Sequence, residues 1–367
     1  MHTILRGPRA VASALLVVLA VVAAACSGGG VDVAEDEPTT TSTTSTSTTT
    51  TTTTEPEGPP SPLTGEALDD ESILDAPAIV VKISNNNTVQ DSWAGIERAD
   101  VVIEERIEAR ATRFAAIFHS DLPDRVGPIR SGRTSDLDLL TNLGAPILVY
   151  SGANTTVTGQ LRGLERDDLV TLVVDRATNV DLVRDDSLGR PDNLFSDLGE
   201  ILEKYRDDAG TATPLFAAGF DADAPSGGES GDGATVDGAD SVAFVWDGEG
   251  SYVRVQNGEI HETADGEPFA FANVVVYETV YRRSTIDPDS VDADTVGEGA
   301  VHILRDGRRY SGTWSRAANT DPFLFTDADG NEIALTPGST WVTLAPAGSY
   351  GFEVDDETAA LLTEADG

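Results

Sequence analysis

The chain has a single cysteine, Cys26, so no disulfide can form within it and its stability must come from core burial. Histidine is scarce as well: there are four, and none stand in pairs at the spacing of a zinc site. No Gly-x-Ser-x-Gly sequence occurs that would present a serine nucleophile on a strand-to-helix turn. Lysine is almost missing, with Lys82 and Lys204 alone. Basic residues of both kinds number 24 against 63 acidic ones, a net charge of -39. So acidic a surface repels nucleic acid and speaks against it as a partner.

What is present begins with an export signal. Arg6 and Arg9 precede an apolar run from Ala10 to Ala25, too short and wrongly flanked for a lasting membrane span. Residues 1–25 therefore read as a signal peptide. Val22-Ala23-Ala24-Ala25-Cys26-Ser27 resembles a bacterial lipobox, with Ala23 where leucine is more usual. That resemblance implies cleavage before Cys26 and a diacylglycerol on its sulfur, anchoring the protein to the membrane. The alternative is an ordinary signal peptide with a chance cysteine. Cleavage would remove two basic residues and no acid, taking the net charge from -39 to -41. Residues 26–61 follow as a stalk. Thr39 to Thr54 is an unbroken Ser/Thr run with nothing apolar to bury, fit to carry O-linked sugars or to serve as a plain spacer.

Residues 62–210 alternate strand and helix patterns, which predicts an α/β domain. Strands are expected at 78–83, 100–105, 112–119, 145–150 and 169–174, and helices near 92–98, 135–143, 156–164 and 197–206. The second and third strands are too close in sequence for a crossover, so they form an antiparallel pair and the sheet is mixed. Residues 217–240 are rich in Gly, Asp, Ala and Ser and read as a disordered linker. From 241 to 346 short strands alternate with Asn257-Gly258, Asp306-Gly307 and Asp329-Gly330 turns, predicting a β-rich barrel or sandwich. Residues 347–367 read as an acidic tail.

The candidate site centres on Asp124 to Arg133, where three arginines sit in a Gly/Pro loop of an otherwise acidic chain. Ser135 reads as the N-cap of the following helix, and a basic loop at a helix start can hold an anion. Arg130, Ser131 and Arg133 are the loop's ligand candidates. Asn85, Glu104, Arg113 and Ser151 fall at strand ends and would form the rim. Each has a plainer reading: Asn85 as a turn residue, Glu104 with Arg113 as a cross-strand ion pair, and Arg125, Arg130 and Arg133 paired with Asp121, Asp124 and Asp136. His119, beside Ser120 and Asp121, is a candidate general base or a structural histidine. Trp246, Trp314 and Trp341 are core residues or a sugar-stacking surface. Asp327 to Glu332 opens like a calcium loop but lacks its sixth-place glycine and twelfth-place acid, so a hairpin turn fits better.

The sequence Val126-Gly-Pro-Ile-Arg-Ser-Gly-Arg133, after a strand opening Thr112-Arg113-Phe114 and closing Phe118-His119, resembles the YerB-like family of bacterial envelope lipoproteins. The likeness extends to Pro62-Leu-Thr-Gly65, to Asn273-Val-Val-Val276 and to Gly312-Thr-Trp-Ser315. It implies a lipoprotein on the outer face of the cytoplasmic membrane, with an N-terminal α/β domain and a smaller C-terminal β domain, and it names no activity. The family tends to carry a histidine before Asn193, where this chain has Asp192. The expectation is a non-catalytic envelope protein without cofactor or metal that binds a cell-wall component or an envelope protein. One alternative is a wall-acting enzyme using Glu104 or His119 with Arg130. Another is a scaffold that positions a wall enzyme.

Overall fold

Short runs of β-branched and aromatic residues, cut by Gly, Asp and Asn, build a structure dominated by strands. The computed structural model describes residues 58–86, 92–174 and 181–365. The expected signal peptide, Cys26, most of the stalk and Asn87 lie outside the described residues. The N-terminal half contributes β1 (Ile79–Asn85), β2 (Val101–Arg106), β3 (Thr112–Phe118), β4 (Ile147–Tyr150), β5 (Thr171–Val174) and the short pair β6 (Val183–Arg184) and β7 (Leu194–Phe195). The C-terminal half opens with β8 (Glu229–Ser230), β9 (Gly233–Asp237), β10 (Ser241–Trp246), β11 (Tyr252–Gln256), β12 (Glu259–Ile260) and β13 (Ala270–Phe271). It continues with β14 (Asn273–Thr279), β15 (Tyr281–Arg283), β16 (Val291–Ala293), β17 (Gly297–Arg305), β18 (Arg308–Arg316), β19 (Leu324–Thr326), β20 (Thr340–Pro346) and β21 (Tyr350–Gly351). The helices are α1 (Asp136–Leu139), α2 (Thr155–Arg166), α3 (Leu198–Tyr205) and α4 (Asp356–Ala365).

One large mixed sheet runs in the order β19-β18-β17-β14-β20-β2-β3-β1-β4-β5, with β8 added on β18. As the short connection predicts, β2 and β3 are antiparallel, whereas β1, β4 and β5 are parallel. β20, from near the end of the chain, lies between β14 and β2 and is parallel to both. The second sheet runs β12-β11-β10-β9-β21, with β13 also on β11. The expected class holds: a mixed α/β part with few helices, followed by a β-rich one. Asn257-Gly258 and Asp306-Gly307 close their hairpins with positive φ at both positions, as the Asn-Gly and Asp-Gly signals demand.

Residue alternation along the strands sorts the core into two layers. Val80, Ile103, Ile117, Leu148 and Val342 face α1 and α2, which contribute Leu139, Val157 and Leu161. Val81, Val102, Phe114, Val276 and Trp341 face the second sheet, through Phe244, Tyr252 and Phe271, and α3, through Leu198 and Ile201. α4 packs Leu361 and Leu362 against the outer face of the second sheet, on Ala243, Val245 and Val255. Trp314 and Trp341 are buried, and Trp246 packs at a tilt on the buried Tyr252, so these tryptophans serve the core.

Three stretches differ from their sequence reading. Residues 217–240 are not a disordered linker: β9 pairs with both β10 and β21, and Phe216 and Phe220 bridge to Phe323 and Leu335. Their composition offers little to bury, but backbone pairing holds them, which composition does not report. The tail beyond 347 carries β21 and α4. The helix expected over 135–143 ends at Leu139, because Thr141 and Asn142, poor helix formers, turn to the carbonyls of Asn319 and Asp321.

Trp341 is fully buried and contacts Phe114, Phe244, Phe269 and Phe271 across the junction of the two halves. Trp341→Ala is expected to cost about 3–5 kcal/mol in urea unfolding. Far-UV circular dichroism and fluorescence of the remaining tryptophans are expected to change together in one transition. Two separated transitions would show that the halves fold independently.

Candidate functional site

The arginine loop is woven into the sheet by its backbone. β4 pairs only with the first half of β1, over Ile79 to Val81. Beside the second half the loop takes that place: Ser84 N–H donates to the Pro128 carbonyl (3.0 Å) and Arg130 N–H to that of Lys82 (2.7 Å). On its other side Ile129 N–H donates to the Leu194 carbonyl (2.7 Å). Gly127 is required here, since a Cβ would stand 2.6 Å from that same carbonyl oxygen. Ser151 N–H donates to the Arg130 carbonyl at the end of β4 (2.9 Å). The peptide groups are thus spent on structure and the arginine side chains are left to project.

The helix start does not hold an anion, because the protein's own carboxylate is already there. Ser135 is itself helical and makes no cap; its Oγ accepts from Ala293 N–H (3.2 Å). Asp136 is fully buried, and its Oδ2 accepts from Arg133 N–H (2.7 Å) while its Oδ1 meets Lys82 Nζ (2.7 Å). Lys82 Nζ also meets Glu105 Oε1 at 2.6 Å. The anion site read at Ser135 is therefore withdrawn.

The side chains of the arginines instead line a cleft of about 390 Å³ at the ends of β1 and β3. Asn85, Arg113, Arg130 and Arg133 contribute to it from the N-terminal half and Ala239 and Asp240 from the other. Arg130 pairs with Asp192, and Arg133 with Glu108. Arg125 pairs with Asp185 at 2.8 Å and stacks on Phe195, outside the cleft. None of these partners is the Asp121, Asp124 or Asp136 expected from sequence proximity. Arg113 differs from its neighbours. It is 4 % exposed, and its Nε and Nη1 make no hydrogen bond. Burial, then the charges of Arg133 and Arg130, pull its guanidinium down to about 9, and Glu105 and Asp192 offset only part of this. Ser131 lies one cleft away, with Arg133, Glu108 and Asp287, and Ser151 lines neither.

Glu104 was expected on the rim, and it is, but on the opposite face from Arg113. In the β2–β3 register Arg113 stands across from Glu105, and Glu104 across from Phe114. The Glu104–Arg113 ion pair is therefore replaced by another. Arg254 Nη2 reaches both Glu104 oxygens, at 3.0 and 3.2 Å. Thr112 Oγ1 donates to Glu104 Oε1 (2.7 Å) and Trp341 Nε1 to Oε2 (3.2 Å). Arg254 also donates to Gln256 Oε1 (2.7 Å) and to Nδ1 of His261, which burial and the arginine's charge keep neutral. Sequence reading missed Arg254 because its partner lies 150 positions away, with no local signal in either stretch.

His119 sits past the other end of β3, six residues from Arg113 and so about 20 Å along the strand. Burial holds its imidazole below the ordinary histidine range. Its backbone N–H, with that of Ser120, donates to the Asp100 carboxylate. Glu104, His119 and Arg130 are thus not brought together as an acid, a base and an oxyanion partner. The Asp327 carboxylate is taken up by the N–H groups of Asp329 (2.9 Å) and Asn331 (2.8 Å), the hairpin reading rather than the calcium one.

Arg254→Met is expected to destabilise the protein by about 3–5 kcal/mol at neutral pH, because Glu104 is left buried and unpaired. Adding Glu104→Gln is expected to recover part of that loss in a double-mutant cycle; equal additive losses would deny the pairing. Asp100 supplies a pH test. Its burial raises its carboxyl to about 6 from 3.8. A raised acid binds more protons folded than unfolded between those values, so stability falls as pH rises through that window. Urea unfolding at pH 4 and pH 7 is expected to show the wild type losing about 2 kcal/mol relative to Asp100→Asn. A constant difference would contradict the assignment.

Two family models match the chain: "Protein of unknown function (DUF3048) N-terminal domain" over residues 63–211 and its C-terminal counterpart over residues 234–342. A relative, "Putative lipoprotein YerB" of Bacillus subtilis (strain 168), is 27% identical over 301 residues, 78% of this chain and 86% of that one. The crystal structure of the Bacillus subtilis YerB protein has a TM-score of 0.69 and 22% identity, covering 80% of this chain and 99% of that chain, and so shows a shared fold. The chain therefore belongs to the DUF3048 family, as a YerB-like protein of unknown function.

Proposed function

We propose that the chain is a lipid-anchored protein of the bacterial envelope whose body binds an anionic ligand, without catalysis, in the cleft of Arg113, Arg130 and Arg133. The anchor rests on Cys26 after its run of small residues, and on the relative's description as a lipoprotein. On this reading the stalk carries the body outward from the membrane, toward wall material or a protein partner.

Arg113 carries the argument for a ligand. A desolvated guanidinium with unmet donors destabilises a fold, and an arginine that served packing alone would be replaced by an apolar residue. An anion in the cleft would supply the missing acceptors. Against catalysis stand the saturation of Glu104 and the distance of His119. A scaffold would need an exposed apolar patch, and the large apolar side chains exposed among the described residues are Val183, Val280 and Val296.

The test is a thermal-shift screen on the chain from Ser27 onward, against muropeptides, teichoic-type phosphates and simple carboxylates. A ligand at about a hundred times its Kd adds roughly 2.7 kcal/mol of stability. Arg113→Met is expected to raise the melting temperature of the free protein and to abolish the ligand's shift. A shift that survives in Arg113→Met would place the ligand elsewhere, and silence across the panel would remove the reading.

A further inference from the structure

A group of side chains on β14, β17, β18 and β21, well away from the arginine cleft in the strand order, carries the parts of a proton relay. In the β17–β18 register His302 stands across from Ser311, and Leu304 across from Arg309. In the β14–β17 register His302 stands across from Val276, two residues before Glu278. Alternation therefore puts Glu278, His302, Arg309 and Ser311 on one face, the one that Val276 and Leu304 turn to the second sheet. β21 brings Tyr350 to that face from the second sheet.

The hydrogens in this group have one consistent order. The Glu278 carboxylate only accepts, so the Tyr350 hydroxyl donates to its Oε2 at 2.6 Å. The Tyr350 oxygen is then left to accept, and His302 Nε2 lies 3.3 Å from it. With its hydrogen on Nε2, His302 presents a bare Nδ1 to Ser311 Oγ at 2.8 Å, and the serine hydroxyl donates there. Burial, then the charge of Arg309, holds the imidazole below its ordinary range, with Glu278 acting the other way. Burial and the bond to Glu278 push the Tyr350 hydroxyl up, so it keeps its proton.

At the outer end of the relay Ser311 is exposed. β18 pairs with β8 at Arg308 and Arg309 and with β19 from Thr313 to Ser315. The margin between these partners borders a cleft of about 430 Å³, lined by Arg309 and Ser311 with Glu229, Asp327, Asp329 and Glu332. Arg309 leaves β18 about 7 Å along the strand from Ser311. It pairs with Glu229, but its Nε makes no hydrogen bond. Phe352 steadies both neighbours of the serine: His302 meets its ring at 4.7 Å between centroids, and the Arg309 guanidinium lies 4.1 Å over it.

An exposed hydroxyl bonded to a neutral imidazole, whose other nitrogen is held by a hydroxyl backed by a carboxylate, has the order of an activated nucleophile. We propose that Ser311 is the nucleophile of an esterase site, with His302 as its base, Tyr350 and Glu278 as positioning residues, and Arg309 as the donor to the oxyanion. Ser311 Oγ bonds to the acyl carbon while its proton passes to His302 Nδ1. The tetrahedral adduct then breaks its bond to the alcohol oxygen, which takes that proton. Water attacks the acyl-serine in the same way, giving a proton to His302 that returns to Ser311 Oγ as the acid leaves. The four carboxylates of the cleft repel anionic acyl groups, so the substrate class is an uncharged carboxylic ester. This activity belongs to a different site from the anion-binding cleft, and neither depends on the other.

The experiment treats the chain from Ser27 onward with p-nitrophenyl acetate and, separately, with diisopropyl fluorophosphate, whose adduct is mapped by mass spectrometry. The adduct is expected on Ser311, and nitrophenol is expected to be released over many turnovers. Ser311→Ala is expected to lose both, and His302→Gln to slow hydrolysis by about 10²–10⁴-fold. The rate is expected to rise with pH through a midpoint below the ordinary histidine value of about 6.5. Tyr350→Phe is expected to move that midpoint lower, because the imidazolium loses the acceptor of its Nε2–H; a tyrosine that served packing alone would leave it in place. An adduct elsewhere or none at all, hydrolysis that persists in Ser311→Ala, or release that stops at one equivalent would overturn the proposal. The mapping uses the wild-type chain and so stands even if a variant misfolds.

Discussion

The buried ion cluster of Lys82, Glu105 and Asp136 is the constraint on which the candidate site depends. All three side chains are fully buried, so each charge needs the others, and breaking the set leaves an uncompensated ion in the core. Lys82 and Glu105 belong to the sheet, and Asp136 opens α1. The cluster therefore pins the helix start to the sheet, and through Arg133 N–H it fixes the end of the arginine loop. It also explains why the helix start is no anion site: the fold needed a carboxylate there for Lys82. The proposed ligand site lies beside it at Arg113, on the same face of the sheet and across from Glu105.

A second buried charge pair does for the whole body what the first does for the loop. Glu104 and Thr112 come from the N-terminal half, and Arg254 and Trp341 from the C-terminal half. Their contacts lie where β20 enters between β2 and β14, so the sheet cannot be completed without strands from both halves. Neighbouring residues of one strand, Glu104 and Glu105, thus serve opposite faces. One ties the halves together, and the other orders the rim that carries the arginines.

This alternation marks the limit of what the sequence made legible. Most strands could be read to within a few residues, because apolar periodicity and Asn-Gly or Asp-Gly turns are local signals. That Glu104 and Arg113 fall at the same end of their strands was also legible, from the antiparallel connection of β2 and β3. Their faces were not, because a one-residue difference in register exchanges the two sides of a sheet. Ser135 looked like a cap at a free helix start, but the burial of Lys82 claimed Asp136 there. The partners of Arg130 and Arg133, Asp192 and Glu108, lie 62 and 25 positions away, beyond the nearby aspartates that charge spacing would choose. The entry of β20 beside β2 joins segments some two hundred residues apart, and a parallel neighbour at that separation leaves no trace in either stretch.

Charge accounting then connects the acidity of the chain to the selectivity of the cleft. In a protein with few basic residues, almost any arginine finds a carboxylate within reach, as Arg130, Arg133 and Arg254 have done. A guanidinium that has found none, though nearly buried, stands out against that background more than it would in a neutral protein. The same acidity sets an upper limit on the ligand's charge, because each further negative charge is repelled by the surrounding carboxylates at short range, where salt screens weakly. On the proposed reading, an acidic body whose Arg113 lacks a partner is thereby better suited to a singly charged anion than to polyanions.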